Sequence, residues 1–191
     1  MSGEEIRLLC QALRFEPKVV CEVGVHGPPE CRAAAFADAE LLLVEPLAAC
    51  AEALRNAFPS AAVHQVAIGA TSGRAQFADA DQCSHLAGQA ISPNTEHWHR
   101  PARIVDVNVV PFSRVDPGNI DVLFADVEGA EWDILVTLRS RPRIIILEMH
   151  SPGGIYQNPN QGLILTWMSA MRYSLQMVDQ SDCVWLRDQS T

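Results

Sequence analysis

The chain has 191 residues, of which 48% are hydrophobic, and this predicts one well-packed domain over residues 1–191. A formal net charge of −9 at pH 7 removes the positive surface on which non-specific nucleic-acid binding depends, so we expect no nucleic-acid substrate. Because the sequence has neither an apolar run long enough to span a bilayer nor a signal-peptide pattern, we expect no membrane span and a cytoplasmic location.

The first part of the chain alternates between apolar strands and amphipathic helices. Two glycines, Gly24 and Gly27, allow a tight turn after the first strand, and the prolines that follow can open a helix. In chain order, the pattern predicts a helix near residues 6–13, strands at 18–23 and 41–46, a helix at 47–58, and strands at 62–68 and 75–77.

The second part repeats the alternation but contains two long polar segments. Residues 79–103 and 151–162 lack sustained periodicity, and connections of this length are usually functional or disordered, so we expect them to cover the substrate site. The remaining elements are predicted as strands at 105–110 and 122–124, a helix at 130–138, a strand at 143–150, a helix at 163–171, and a hairpin of 173–178 with 183–186.

This order of elements predicts the fold class. Strands that alternate with helices form an α/β, doubly wound, mostly parallel sheet, and the last two strands close it with an antiparallel hairpin. In such a sheet the carboxyl ends of the strands line one crevice. Four predicted strands end there in a carboxylate, namely Glu22, Glu45, Asp126 and Glu148.

The turn after the first strand indicates a nucleoside ligand. Glu45 follows Gly24 by about twenty residues, the spacing at which an acidic residue accepts hydrogen bonds from ribose hydroxyls. Residues 22–27 contain only part of the G-x-G-x-x-G pattern that cradles a pyrophosphate. This favours a ligand without phosphates, such as S-adenosylmethionine, and makes an NAD-dependent oxidoreductase the less favoured alternative.

Together these residues resemble the FkbM family of S-adenosylmethionine-dependent methyltransferases. The similar motifs are E-V-G-V-H-G at residues 22–27, V-E-P at 44–46, V-A-I-G at 66–69, S-H-L at 84–86, and D-V-E-G-A-E at 126–131 with the later Glu148. The resemblance covers roughly residues 19–150, and the last of these motifs is the most specific.

The resemblance implies a class I methyltransferase fold, which is Rossmann-like, and O-methylation of a hydroxyl on a small molecule or sugar. The implied base is Asp126, Glu128 or His150, although His150 suits a structural role equally well. No metal is expected, a carboxylate-held divalent ion being the less favoured version. The implied cofactor-binding residues are Glu22, Gly24, His26, Gly27, Glu45, Pro46, Ala67, Ile68, Ser84, Leu86 and Asp126.

Two positions depart from the family pattern. The first motif commonly reads D-x-G-A-N, where this chain has Glu22, Val25 and His26. The family also commonly has a lysine two residues before the acidic Asp, and this chain has Phe124 there. The second departure leaves open which residue supplies a positive partner for Asp126. A nucleoside-binding pseudoenzyme of the same fold is therefore the alternative hypothesis.

Overall fold

The computed structural model describes residues 1–80, 84–87, 103–149, 158–179 and 181–188. Its helices are α1 (Gly3–Ala12), α2 (Ala48–Ala57), α3 (Glu131–Thr137) and α4 (Gln161–Ala170). Its strands are β1 (Val19–Val23), β2 (Glu40–Val44), β3 (Ala62–His64), β4 (Ala67–Ile68), β5 (Gly73–Asp79), β6 (His85–Leu86), β7 (Arg103–Val110), β8 (Val122–Ala125), β9 (Ile144–Glu148), β10 (Tyr173–Asp179) and β11 (Asp182–Arg187).

The main sheet has seven strands in the order β10-β11-β9-β8-β1-β2-β3. The five strands from β9 to β3 pair in parallel, whereas β11 is antiparallel to both β9 and β10. This arrangement confirms the predicted doubly wound, mostly parallel sheet and its C-terminal antiparallel hairpin.

The central strands β1 and β8 are buried throughout, because helices pack against apolar side chains on both faces of the sheet. On one face, Leu123 of β8 packs in a cluster with Ile134 of α3 and Ile164 of α4. On the other face, Phe124 packs in a cluster with Ile6 of α1 and Leu54 of α2. The helices therefore fix the central strands, and with them the strand ends that carry the carboxylates.

Residues 62–68 form two strands and not the single predicted one. β3 joins the main sheet, while β4 pairs with β7 in a second, four-stranded sheet of order β4-β7-β5-β6. The main sheet ends at His64, which pairs with Val44 at the end of β2. Beyond His64, Ala67 and Ile68 pair with Val109 and Val110 of β7. Local hydrophobic periodicity does not predict this change of sheet, because the new partners lie about forty residues later in the chain.

No α-helix follows the glycine turn, contrary to the sequence-based expectation. The chain instead forms two short 3-10 segments, Pro28–Glu30 and Arg32–Ala35. Prolines at the start of the first segment provide no amide hydrogens, and the amide of Ala33 donates to the Glu22 carboxylate at 2.8 Å. The amide that would extend a helix is thus committed to the strand end.

Within the described ranges, no helix has the length and apolar character that a bilayer crossing requires. The cysteines found free in that part of the chain are Cys10, Cys21, Cys31, Cys50 and Cys183.

Candidate active site

The turns that follow β1, β2 and β8 are hydrogen-bonded to one another at one edge of the sheet. The amide of Gly24 donates to the carbonyl of Val44 at 3.0 Å, and the amide of Asp126 donates to the carbonyl of Val23 at 3.1 Å. The backbone hydrogen bonds between neighbouring strands thus continue into the turns that follow them. The glycine turn therefore lies between the strand ends that carry Glu45 and Asp126.

Gly24 occupies a position that no other residue fits. Its φ of +82° lies in the left-handed region, and a Cβ built there would stand 1.8 Å from the carbonyl oxygen of Asp126. The bare backbone of Gly24 therefore lets the turn after β1 lie directly against the start of the turn after β8.

Glu45 joins the glycine turn to the start of α2. Its side chain is buried, and its two carboxylate oxygens accept hydrogen bonds from the amides of His26 at 2.9 Å and Leu47 at 2.8 Å. Burial raises the pKa of Glu45, while these two amides oppose the rise. His26 itself has a φ of +60°, so this contact helps to hold an unfavourable backbone conformation.

We expect Glu45→Gln to weaken binding of S-adenosylhomocysteine, the demethylated cofactor, by about ten-fold or more. The neutral amide replaces a charged acceptor and turns an NH₂ group towards one of the two backbone amides, a loss of about 1.5–3 kcal/mol. Calorimetric titration measures the dissociation constant. Glu52→Gln, on the exposed side of α2, is the matched control and should bind as the wild type does. Equal affinity in the two variants would remove Glu45 from the binding site.

Apolar side chains from the second sheet lie beside this edge. Ala67 belongs to the same buried cluster as Leu47, which follows Glu45 by two residues, and Leu86 packs against that cluster. A Cβ built on Gly69, which follows β4, would lie 3.8 Å from the end of the Leu86 side chain. The Ser84 hydroxyl accepts a hydrogen bond from the amide of Ala80 at 3.0 Å. Leu47, Ala67 and Leu86 thus form an apolar wall beside the carboxyl ends of the strands.

Three acidic side chains, Asp126, Glu128 and Glu148, form what we call the carboxylate cluster. One oxygen from each lies within 4.8 Å of the others. Burial, followed by the charges of Asp126 and Glu131, raises the pKa of Glu128 to about 8. Burial also raises the pKa of Glu148, and the charge of Asp126 and a hydrogen bond to it add to that rise. Glu128 and Glu148 therefore retain protons near neutral pH.

Glu131 supports the backbone beneath the cluster. One of its carboxylate oxygens accepts from the amides of Val127 at 3.1 Å and Gly129 at 3.3 Å, and the other accepts from the Asn158 side chain at 2.6 Å. These bonds hold a turn in which Glu128 and Gly129 both have positive φ, at 51° and 103°. Burial raises the pKa of Glu131 to about 7, against the hydrogen bonds that it accepts.

The raised pKa values predict that the protein loses stability as the pH rises from about 6.5 to 8.5. Glu131 and Glu128 titrate near 7 and 8 when folded and near 4.5 when unfolded, so between these values the folded state binds more protons. Their stabilisation is complete below pH 4.5 and is lost as the pH rises through 7 and 8. We expect a loss of about 1–3 kcal/mol, measured by urea unfolding.

The choice of pH range and of variants makes this measurement specific. Burial lowers the pKa of His64 from 6.5, which gives stability the opposite slope below that pH, so the series begins there. Glu128→Gln should flatten the decline, and the exposed Glu52→Gln should not. An unfolding midpoint that stays constant or rises across the range would contradict the proposed protonation of the site.

Glu22 lies at the end of β1 and is almost fully buried. Its carboxylate accepts from the Arg32 side chain at 3.0 Å and from the amide of Ala33. Burial raises the pKa of Glu22, with Arg32 as the largest opposing influence. The Arg32 guanidinium also lies 3.7 Å from the Asp126 carboxylate. It therefore provides Asp126 with the positive partner that the sequence had left open.

The structure brings most of the predicted site residues to one edge of the main sheet, but their roles stay predictions. Of these residues, His150 lies outside the described ranges. Sequence reasoning missed Arg32, whose side chain contacts Glu22 and Asp126, and Asn158, whose side chain donates to Glu131 beneath the cluster. The sequence did offer one indication for Arg32, since it is the only lysine or arginine between Lys18 and Arg55 and so the only nearby cation for the carboxylates of that region.

Comparison with solved structures defines the fold class. A methyltransferase FkbM from Methylobacillus flagellatus KT is similar to 97% of this chain, with a TM-score of 0.60 and 13% identity, and the match covers 48% of its own chain. A TehB-like SAM-dependent methyltransferase from Corynebacterium glutamicum ATCC 13032 Kitasato is similar over 98% of this chain and 89% of its own, with a TM-score of 0.50 and 11% identity. The fold is that of the class I methyltransferases.

The chain belongs to the FkbM methyltransferase family, because the family described as the Methyltransferase FkbM domain matches residues 19–175. This match confirms the resemblance drawn from the motifs. The chain spans about half the length of the M. flagellatus protein, 48% by coverage. No curated protein matches the chain.

Proposed function

We propose that this protein is an S-adenosylmethionine-dependent methyltransferase that methylates a hydroxyl group on a small molecule or sugar. Family membership supports the reaction class. The observation that carries the proposal is the bond between the Glu45 carboxylate and the amide of His26, at 2.9 Å. This bond holds an acidic side chain against the glycine turn, beside the strand end that carries Asp126, and so supports a role for Glu45 as acceptor for the ribose hydroxyls.

The residues at this edge fit S-adenosylmethionine. Gly24 presents backbone without a side chain, and Glu45 retains lone pairs for the ribose because each oxygen accepts only one backbone hydrogen bond. Ala67, Ile68 and Leu86 would cover the adenine. When bound, the cofactor supplies an electrophilic methyl group whose transfer leaves the bonding electron pair on sulfur and yields a neutral thioether.

Asp126 is our choice for the group that accepts the acceptor hydroxyl's proton. Its side chain is 35% exposed, so a substrate can reach it, and its backbone is fixed by β1 and Gly24. Glu128 is the second candidate, because a pKa of about 8 suits proton exchange near neutral pH. His150 stays a candidate on sequence grounds alone. Positioning the hydroxyl beside the methyl group supplies the other part of the rate.

Transfer of a labelled methyl group tests this proposal. The full chain is incubated with methyl-labelled S-adenosylmethionine and a panel of sugars and small hydroxylated molecules, and labelled products are separated and counted. We expect label on an acceptor oxygen together with formation of S-adenosylhomocysteine. Label on nitrogen or carbon would contradict O-methylation, and cofactor binding without transfer to any acceptor would support the pseudoenzyme alternative.

A further inference from the structure

Arg32 contacts the ends of three different strands of the main sheet. Its guanidinium lies 3.0 Å from the Glu22 carboxylate of β1, 3.7 Å from Asp126 after β8, and 3.6 Å from Asp182 of β11. The side chain is only 14% exposed. Burial opposes its charge, but the three carboxylates outweigh this effect and raise the pKa of Arg32 above its usual range.

The backbone around Arg32 is as fixed as its side chain. A Cβ on Gly3 would lie 1.9 Å from the carbonyl oxygen of Arg32, so the first residue of α1 packs directly on this segment. On the other side, the amide of Ala33 donates to Glu22. The segment that carries the cation is thus anchored to both α1 and β1.

Phe124 lies beneath the guanidinium. The Cζ atom of Arg32 stands 5.3 Å from the centroid of the Phe124 ring, a distance that suits a cation–π contact. Phe124 and Glu22 are register partners on adjacent parallel strands, so their side chains lie on the same face. Position 124 therefore supplies the surface on which the cation rests, and position 32 supplies the cation.

We propose that Arg32 is a positioning residue of the methyl-transfer site, which orients Asp126 and Glu22 and provides the positive charge that balances them. This inference rests on the proposed function. A lysine could carry the charge, but only the planar fork of an arginine can contact three carboxylates while it stacks on a ring. The titratable groups that contact these three carboxylates include the Cys31 thiol, which hydrogen-bonds to Glu22, the Met1 amino group, which contacts Asp182, and Glu148, which hydrogen-bonds to Asp126.

Three variants of the full chain test the proposal. Arg32→Met removes the charge and keeps an apolar stem, and Arg32→Lys keeps the charge without the fork. Arg143→Met is the matched control, because the Arg143 guanidinium also stacks on a ring, that of Phe15 at 4.6 Å, and stands before β9 at the opposite edge of the sheet. Circular dichroism first establishes that each variant is folded.

The first readout is a carboxyl ¹³C NMR titration of Glu22, which needs no ligand. We expect Arg32→Met to move the Glu22 titration upward by about one pH unit or more, since it removes the largest influence that opposes burial. Arg32→Lys should move it less, and Arg143→Met should not move it. An unchanged titration in folded Arg32→Met would overturn the proposal.

The second readout is calorimetric titration with S-adenosylhomocysteine. We expect Arg32→Met to bind about ten-fold more weakly than the wild type, Arg32→Lys to recover part of the affinity, and Arg143→Met to bind normally. Wild-type affinity in Arg32→Met would also overturn the proposal. If the wild type itself did not bind, the proposed function would fail, while the NMR titration would still report whether Arg32 balances the buried carboxylates.

Discussion

Gly24→Ala is expected to abolish measurable binding of S-adenosylhomocysteine, with a loss of about 100-fold or more in affinity. The added methyl group would stand 1.8 Å from a backbone oxygen of Asp126, and a backbone atom cannot rotate away as a side chain can. The turn after β1 must then move off the turn after β8. The φ of +82° adds strain of about 1–2 kcal/mol for any residue with a Cβ.

The same substitution should lower the free energy of unfolding by about 2–4 kcal/mol, measured in urea. Gly73→Ala is the matched control, since a Cβ there meets nothing within 4 Å, and it should leave both affinity and stability unchanged. If Gly24→Ala bound S-adenosylhomocysteine as tightly as Gly73→Ala does, the glycine turn would not be the cofactor site.

Asp126→Asn is expected to lower the rate of label transfer by about 100-fold or more while cofactor affinity changes little. Asparagine keeps the shape of aspartate and can still accept a hydrogen bond from Glu148, but its neutral amide is a very weak base. The measurement compares initial rates of methyl transfer with dissociation constants for S-adenosylhomocysteine. A slower transfer rate with an unchanged dissociation constant would indicate loss of the base, because a misfolded variant would lose cofactor affinity as well.

The control for Asp126→Asn is Asp106→Asn, which removes an aspartate that is 65% exposed and contacts only Arg74 among the ion pairs of the described residues. It should leave transfer unaffected. A rate for Asp126→Asn within about three-fold of that control would exclude Asp126 as the base and leave Glu128 and His150 as candidates.

The strands and the position of the site follow from local sequence patterns. Buried strands such as β1 and β8 are continuous apolar runs, and each ends where an acidic residue and a glycine interrupt the run. Parallel strands bring such ends to one edge, so the convergence of Glu45 and Asp126 with the glycine turn needed no knowledge of side-chain packing.

The remaining features depend on contacts between distant parts of the chain. Asn158 meets Glu131 from 27 positions away, and Arg32 meets Asp126 and Asp182. The Ala33 amide bonds to Glu22, which is one reason why 3-10 turns stand where an α-helix was predicted. Hydrophobic periodicity is read within short windows of the sequence, so it cannot predict contacts between residues this far apart.

Phe124 illustrates how one departure from a motif is balanced elsewhere. Read alone, the lack of a lysine at this position suggests an unbalanced Asp126 and an inactive protein. In the folded chain, Arg32 approaches the same carboxylate from the segment after β1 and stacks on the Phe124 ring itself. The absence of lysine at position 124 is therefore weak support for the pseudoenzyme alternative.

The most direct test of the account is a crystal structure of the chain with S-adenosylhomocysteine. We expect the ribose hydroxyls within hydrogen-bond distance of the Glu45 carboxylate, the sulfur over Gly24 beside Asp126, and the adenine against Ala67 and Leu86. A nucleoside bound elsewhere, or a ribose that does not touch Glu45, would contradict the placement of the site.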